Sequence, residues 1–96
     1  MVSVSMNEYS LKGFRKSKSK NKKYDALLVN KKTGRSKTIP FGDKRYQHYK
    51  DSTGLGLYSN LNHGDKERRK KYKQRHQGFI KQGQYSAAYF SMRYLW

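Results

Sequence analysis

The net charge of +17 on 96 residues, from 23 Lys/Arg and only 6 Asp/Glu, most constrains what this chain can fold into. Like charges at this density repel one another and favour an expanded chain unless a polyanion or an acidic surface neutralises them. We therefore expect the protein to work against a negative partner or inside a larger assembly. Aromatic residues make up 15% of the chain and can supply a small core. Together the two features predict a small folded domain with basic extensions.

Length and composition limit the chain to one domain. A chain of 96 residues with 33% hydrophobic residues and a mean hydropathy of −1.21 can bury only a small core. We expect marginal stability that improves on binding, because ordering the chain costs almost as much as the core contributes. The lack of cysteine excludes disulfides and thiolate metal sites and fits a reducing compartment. The apolar runs are far shorter than the ~20 residues that span a bilayer, so we expect no transmembrane segment.

Residues 1–22 have the composition of a basic arm. Lysine and serine alternate from Lys16 to Lys20, and such a segment buries too little apolar surface to fold by itself. We therefore predict an extended arm, with Leu11 and Phe14 as its anchor. Two interpretations are open: a solvated tail, or an arm that threads along phosphates or an acidic protein surface. In the second, the contact residues are Arg15, Lys16, Lys18, Lys20 and Lys22.

Residues 23–41 are typical of a β-hairpin. The run from Tyr24 to Val29 predicts one strand, Lys31 to Gly34 the turn, and Lys37 to Phe41 the returning strand. Pro40 lacks a backbone donor, so the returning strand should lie at a sheet edge. A hairpin needs a helix or a third strand against it to be stable. Its turn carries a second group of candidate polyanion contacts: Lys31, Lys32 and Arg35.

The middle of the chain gives weaker signals. Asp43 to Tyr49 predicts a short helix, and Ser52 to Asn60 predicts a loop. The loop contains Gly54 and Gly56, but this pair has no third glycine, no preceding strand and no following helix. It therefore does not match a nucleotide-binding fingerprint.

Residues 65–77 give the clearest helix prediction. Asp65 is suited to the N-cap, Glu67 to the first turn, and Gly78 to the position after the last turn. Helical spacing divides the segment into two sides. The predicted packed side, where arginine stems lie on aromatic rings, consists of Arg68, Tyr72, Arg75 and Phe79. The predicted exposed basic stripe, a third group of candidate contacts, consists of Lys66, Arg69, Lys70 and Lys73.

Residues 84–96 predict a second helix, capped by Ser86. One face of this helix consists of Tyr85, Ala88, Tyr89, Met92 and Trp96. We expect that face to close the core over the hairpin; the alternative is that the segment from Tyr94 to Trp96 docks into a neighbour. The candidate aromatic anchors of the chain are Tyr72, Phe79, Tyr85, Tyr89 and Trp96.

The expected fold class is α+β. A small β-hairpin packs on one or two short helices in a domain of residues 23–96, and residues 1–22 form the extended basic arm.

Residues that carry catalytic chemistry are sparse and separated. The six carboxylates are scattered singly, so no pair suits general acid–base work. His48, His63 and His76 lack metal-ligand spacing and have no cysteine partners. We therefore expect no enzyme, no metal, no cofactor and no small-molecule substrate. Basic residues spread over the whole chain favour sequence-independent phosphate contact, or burial among many partners.

The stretch from Asp65 to His76 carries a resemblance. Together with Tyr24–Val29, Ile39–Asp43 and Leu95–Trp96, its Lys-Glu-Arg-Arg…Tyr…Arg-His pattern resembles small basic proteins of large double-stranded DNA viruses, algal and giant viruses among them. The resemblance covers residues 23–96 and implies a virion or virus-encoded accessory protein, without a particular activity. Within the helix it is carried by Arg68, Arg69, Tyr72, Arg75 and His76.

The first functional expectation is a structural protein, a minor capsid component of a large double-stranded DNA virus. It would bridge larger capsid subunits on the inner surface of the shell. Its partners would be other capsid proteins, with packaged DNA as a further candidate. It would be made in the host cytoplasm or nucleus and end in the virion. Two alternatives stay open: a sequence-independent nucleic-acid-binding protein that condenses a genome, and a small ribosomal protein.

Overall fold

The computed structural model describes residues 3–79 and 83–96 and confirms the α+β class. The elements are β1 Ser3–Ser5, β2 Tyr9–Lys16, β3 Lys22–Asn30, β4 Ser36–Asp43, α1 Lys66–His76, β5 Gln84–Ser86 and α2 Ala87–Tyr94. Three antiparallel strands form the main sheet in the order β2-β3-β4, and β1 pairs with β5 in a second, two-stranded sheet. Single turns of 3₁₀ helix cover 59–61 and 77–79.

The predicted hairpin is confirmed as β3 and β4. Tyr24 lies opposite Phe41 and Ala26 opposite Ile39, so the side chains of each pair meet on the core face of the sheet. Pro40 lies in β4, which is an edge strand, as its missing donor requires. The hairpin is therefore correctly located, but it is only two thirds of the sheet.

The third strand corrects the prediction of an arm. Part of the segment assigned to the arm forms β2, where Leu11 pairs with Leu28 and Phe14 with Ala26. A register shift at Lys12 inserts one extra residue between them. Because of this bulge, Leu11 and Phe14 reach the same face although they are three residues apart. Their spacing therefore lacks the period of two that is typical of a strand. Because the segment is also rich in lysine, the sequence did not predict β2.

The core lies between the main sheet and α2. Phe90 is fully buried, with its ring centroid 5.5 Å from that of Phe41 and 5.4 Å from that of Tyr85. The predicted packed face of this helix omitted Phe90, which is a correction. Tyr85 belongs to β5 and not to the helix. The buried face of α2 is centred on Phe90 instead. The buried core residues are Tyr24, Ala26, Leu28, Ile39, Phe41, Phe90 and Leu95.

Both helices begin where the sequence predicts. Asp65 caps α1 and Ser86 caps α2, each through a side-chain oxygen that accepts backbone N–H groups of the first turn. Two local predictions are wrong. Gly78 does not adopt a left-handed conformation, because the chain continues from α1 into a 3₁₀ turn. The segment from Asp43 to Tyr49 is not a helix: Asp43 ends β4, a turn follows at 44–45, and His48 forms an isolated β-bridge with Asn62.

Candidate nucleic-acid interface

A buried polar network joins β3 to the segment after β4. The side chain of Lys23 is 2% exposed, and its Nζ donates to the backbone oxygen of Tyr46 and to Nδ1 of His48, each at 2.8 Å. His48 in turn contacts Asn62 Oδ1 through Nε2. Since Nδ1 accepts from an ammonium, His48 is the neutral tautomer that carries its hydrogen on Nε2.

Burial lowers both pKa values in this network. It brings the pKa of Lys23 down to about 8, although the carboxylates of Asp43 and Asp51 act in the opposite direction. Burial and the charge of Lys23 together hold the pKa of His48 below its ordinary value. Of the two basic side chains in the network, Lys23 is therefore charged near neutral pH and His48 is neutral.

A second set of hydrogen bonds fixes the loop that follows. The hydroxyl of Tyr24 donates to the carboxylate of Asp51 and accepts from the backbone N–H of Leu57 at 3.1 Å. Burial and the bond to Asp51 raise the pKa of Tyr24 to about 12. Burial opposes ionisation of Asp51, but hydrogen bonds from Thr53 and Tyr24 outweigh it and lower the pKa of that carboxyl. The loop is therefore tied to the central strand.

Helix α1 packs through a column of aromatic rings. The ring of Tyr72 stacks on Trp96 at 4.1 Å and 4°, and on His76 at 4.1 Å and 22°. Arg69 lies beside this column: its Nε donates to the backbone oxygen of Trp96 at 2.8 Å, and its guanidinium lies 4.9 Å from the ring of Tyr49. The packing of α1 is therefore aromatic and cation–π in character, which suits a helix without an apolar stripe.

Because of this aromatic column, the side of α1 that packs against the domain differs from the predicted one. Arg69, Tyr72, Lys73 and His76 are half-buried and follow helical i, i+3, i+4, i+7 spacing. Arg69 and Lys73 are thus wrong as members of an exposed stripe, and burial lowers the pKa of Lys73. The predicted packed residues Arg68 and Arg75 are exposed. The sequence missed this because Trp96, the partner of Tyr72, lies after the end of α2 and far from α1 along the chain. Lys66 and Lys70 are exposed as predicted, and the side chain of Phe79 lies outside the described residues.

A groove of about 620 Å³ lies between α1 and residues 43–47. Three cationic side chains of α1 line it, and one of them, Arg68, donates a 2.8 Å hydrogen bond to Oε1 of Gln47, which also lines the groove. Tyr72 and Trp96 form its aromatic wall. The groove therefore combines positive charge with aromatic surface. The cations that α1 contributes are Arg68, Lys71 and Arg75, and the buried Lys23 also lines the groove.

The contact residues predicted for the arm and for the hairpin turn lie at opposite ends of the main sheet. Four lysines of the first group are exposed around the β2–β3 turn, and the second group is exposed in the β3–β4 turn. The nine residues of β3 separate the turns by about 30 Å at ~3.3 Å per residue. Arg15 differs from its group because its Nε pairs with Asp25 at 3.2 Å. The exposed residues are Lys16, Lys18, Lys20, Lys22, Lys31, Lys32 and Arg35.

The remaining predicted anchors, Tyr85 and Tyr89, are half-buried against Phe90. Their rings therefore contribute to the wall of the core. Within residues 3–79 and 83–96, no cluster of three His, Cys, Asp or Glu side chains could hold a metal ion. Across the same ranges, no helix is long and apolar enough to span a bilayer.

Comparison with known proteins gives one partial match. No curated protein and no solved structure matches the chain. The matched part, residues 13–53, holds the second half of β2, all of β3 and β4, and Lys23, His48 and Asp51 of the two polar networks, but not α1. Residues 13–53 are similar to a family of unknown function, DUF5754.

Proposed function

We propose that this protein binds the phosphate backbone of nucleic acid without regard to sequence. The observation that carries the proposal is the uncompensated charge of its surface. The chain has 23 Lys/Arg for 6 Asp/Glu, and within the described residues only two ion pairs form, Arg15–Asp25 and Arg45–Asp43. Exposed ammonium and guanidinium groups without carboxylate partners bind phosphates and release the counterions condensed on them.

The distribution of the cations supports bridging rather than one-sided binding. The two basic turns at the ends of β3 are about 30 Å apart. A rigid chain with basic surfaces at both ends contacts two segments of a polyanion at once, which brings the segments together. Condensation of nucleic acid is therefore the mode of binding that this geometry favours.

A second candidate function is the bridging of capsid subunits on the inner surface of a large double-stranded DNA virus. The same separation of the basic turns favours it, if the surfaces they meet are acidic protein surfaces. The resemblance of Asp65–His76 to small basic viral proteins adds support. The virion is the corresponding location, with other capsid proteins as partners and packaged DNA as an additional one.

Salt-dependent binding separates the two functions. Fluorescence anisotropy with several duplexes of unrelated sequence, from about 50 to 200 mM salt, should give one affinity that falls by orders of magnitude. Lys18→Gln, Lys20→Gln and Lys22→Gln combined should reduce the slope of log K against log salt by up to about 2.7, or ~0.9 per lost phosphate contact. The matched triple Lys→Arg variant keeps the charge and should keep the slope.

Two results would contradict the nucleic-acid function. One is the absence of binding at about 150 mM salt, which would leave the capsid-bridging function as the better account. The other is an affinity that differs strongly between duplexes of equal length, since phosphate contacts carry no sequence information.

A further inference from the structure

We propose that the groove between α1 and residues 43–47 binds an unpaired nucleotide, so that the protein prefers single-stranded to duplex nucleic acid. This inference rests on the proposed function and adds a specific site to it. The groove volume of about 620 Å³ lies within the range of roughly 300–1,000 Å³ that small-molecule sites occupy. A base in a duplex is paired and stacked and therefore cannot enter such a groove.

Tyr46 offers the stacking surface. Its side chain is 63% exposed although it lines the groove, which is unusual for so large an aromatic residue. The guanidinium of Arg45 lies 5.5 Å from the centroid of its ring. Tyr72, by contrast, has both faces covered, by His76 and Trp96. A base that enters the groove therefore stacks on Tyr46, as bases stack on exposed aromatic rings in proteins that bind single strands.

The cations of α1 are positioned for the phosphate of the same nucleotide. Arg68, Lys71 and Arg75 follow one side of the helix at i, i+3, i+7 spacing and line the groove. Arg68 donates to a neutral amide, that of Gln47, so its charge stays uncompensated. Neither Lys71 nor Arg75 pairs with a carboxylate within the described ranges. Helix α1 therefore presents three positive charges to one ligand.

The carboxylate that lines the groove does not oppose an anion. Asp43 is held by Arg45, with 2.8 Å between its Oδ2 and the guanidinium, and these hydrogen bonds lower the pKa of Asp43 to about 2. Its negative charge is thus balanced by a neighbour. Side-chain amides of Gln47 and Gln74 also line the groove and supply donors and acceptors for the edge of a base.

Trp96 makes the test direct, because it is the one tryptophan of the chain and lines this groove. We would titrate the full chain with an unstructured oligodeoxythymidine, a duplex of equal charge and inorganic polyphosphate at about 150 mM salt. The single strand should bind about tenfold or more tightly than the duplex and change the emission of Trp96. Polyphosphate, which has no base, should leave the shape of that emission unchanged.

Variants assign the preference to the groove. Tyr46→Ala should weaken single-strand binding by about tenfold through lost stacking, whereas Tyr46→Phe should stay within about twofold. Lys71→Gln with Arg75→Gln should remove the preference for the single strand. The control, Lys31→Gln with Lys32→Gln, makes the same change of charge at the far end of the sheet and should weaken both ligands alike. Circular dichroism verifies that each variant is folded.

The outcomes separate this inference from the function on which it rests. If duplex and single strand bind with equal affinity, or Tyr46→Ala behaves like Tyr46→Phe, the groove assignment is wrong while phosphate binding stands. If the control pair abolishes the preference as strongly as the groove pair, the preference reflects charge and the assignment is also wrong. If no nucleic acid binds at about 150 mM salt, both proposals fail.

Discussion

Nζ of Lys23 lies 2.8 Å from Nδ1 of His48, in a position where both side chains are buried. A buried ammonium next to an imidazole forbids protonation of the imidazole, because two adjacent positive charges would then share a poorly solvated site. This relationship makes the stability of the fold depend on pH at both ends of the accessible range.

On the alkaline side, the free energy of unfolding should rise between about pH 8 and pH 10. Folding lowers the pKa of Lys23 from its ordinary value of 10.5 to about 8, so over this interval the unfolded state binds more protons than the native state. Above pH 10 the trend should reverse, because the pKa of Tyr24 is raised from 10.0 to about 12 by folding. Urea unfolding at half-unit steps of pH measures both.

The variant Lys23→Met isolates the lysine. Methionine cannot titrate, so the rise between pH 8 and pH 10 should disappear while the loss above pH 10 remains. Parallel curves for the two proteins would show that Lys23 has an ordinary pKa in the folded chain, and would contradict its burial.

On the acidic side, stability should fall as the pH drops below about 6.5. Folding depresses the pKa of His48 from 6.5, chiefly by burial, so the stabilisation is complete above that value and is lost as His48 protonates. His63 contributes in the same direction. An NMR titration of the imidazole resonances should give a midpoint for His48 below 6.5, and a midpoint above 6.5 would refute the neutral assignment.

Gly42 should tolerate alanine far less well than Gly34 does. Both glycines have a left-handed φ, +75° and +73°, which costs an L-residue about 1–2 kcal/mol. At Gly42 a Cβ would also lie 2.9 Å from Cδ1 of Leu95, whereas at Gly34 it would meet nothing within 4 Å. The added overpacking should make Gly42→Ala about 1–3 kcal/mol more destabilising. Equal midpoints of thermal unfolding for the two variants would contradict this.

Phe14 should behave as a core residue and not as part of an arm. Its ring makes edge-on contacts with Phe41 at 5.7 Å and with Tyr94 at 4.7 Å. Phe14→Ala should therefore cost about 3 kcal/mol or more of unfolding free energy. Lys12→Ala, in the same strand but exposed, is the matched control and should change it by less than about 0.5 kcal/mol. If both variants unfold like the parent, β2 is not part of the folded sheet.

Asp65 should control the stability of α1. Its Oδ1 accepts the backbone N–H groups of Glu67 at 2.9 Å and Arg68 at 3.2 Å. Asp65→Ala removes both acceptors and should cost about 1 kcal/mol, with partial loss of helical signal in circular dichroism. Asp65→Asn keeps an oxygen at the cap and should recover most of that loss; identical spectra for the three proteins would rule out the capping role.

Local features of the sequence were enough to locate the hairpin and both helices. The cap residues Asp65 and Ser86, the turn at Gly34 and the position of Pro40 act through neighbours within a few residues. Such interactions are encoded by short spacings, so they can be read before any tertiary contact is known. The basic residues of the two sheet turns are recognised as candidate contacts from their charge alone, although the sequence assigns the first group to an extended arm.

Only the tertiary structure decided which residues meet. The bulge at Lys12 that brings β2 into the sheet, and the stack of Tyr72 on Trp96 that turns α1, depend on partners far away in the chain. The contact between Lys23 and His48 spans 25 residues. Composition and period carry no signal for pairings of this kind, because the free energy that selects them comes from packing and desolvation in the assembled fold. The sequence therefore predicts the positive charge of the surface. It does not predict the groove between α1 and residues 43–47, in which part of this charge is gathered.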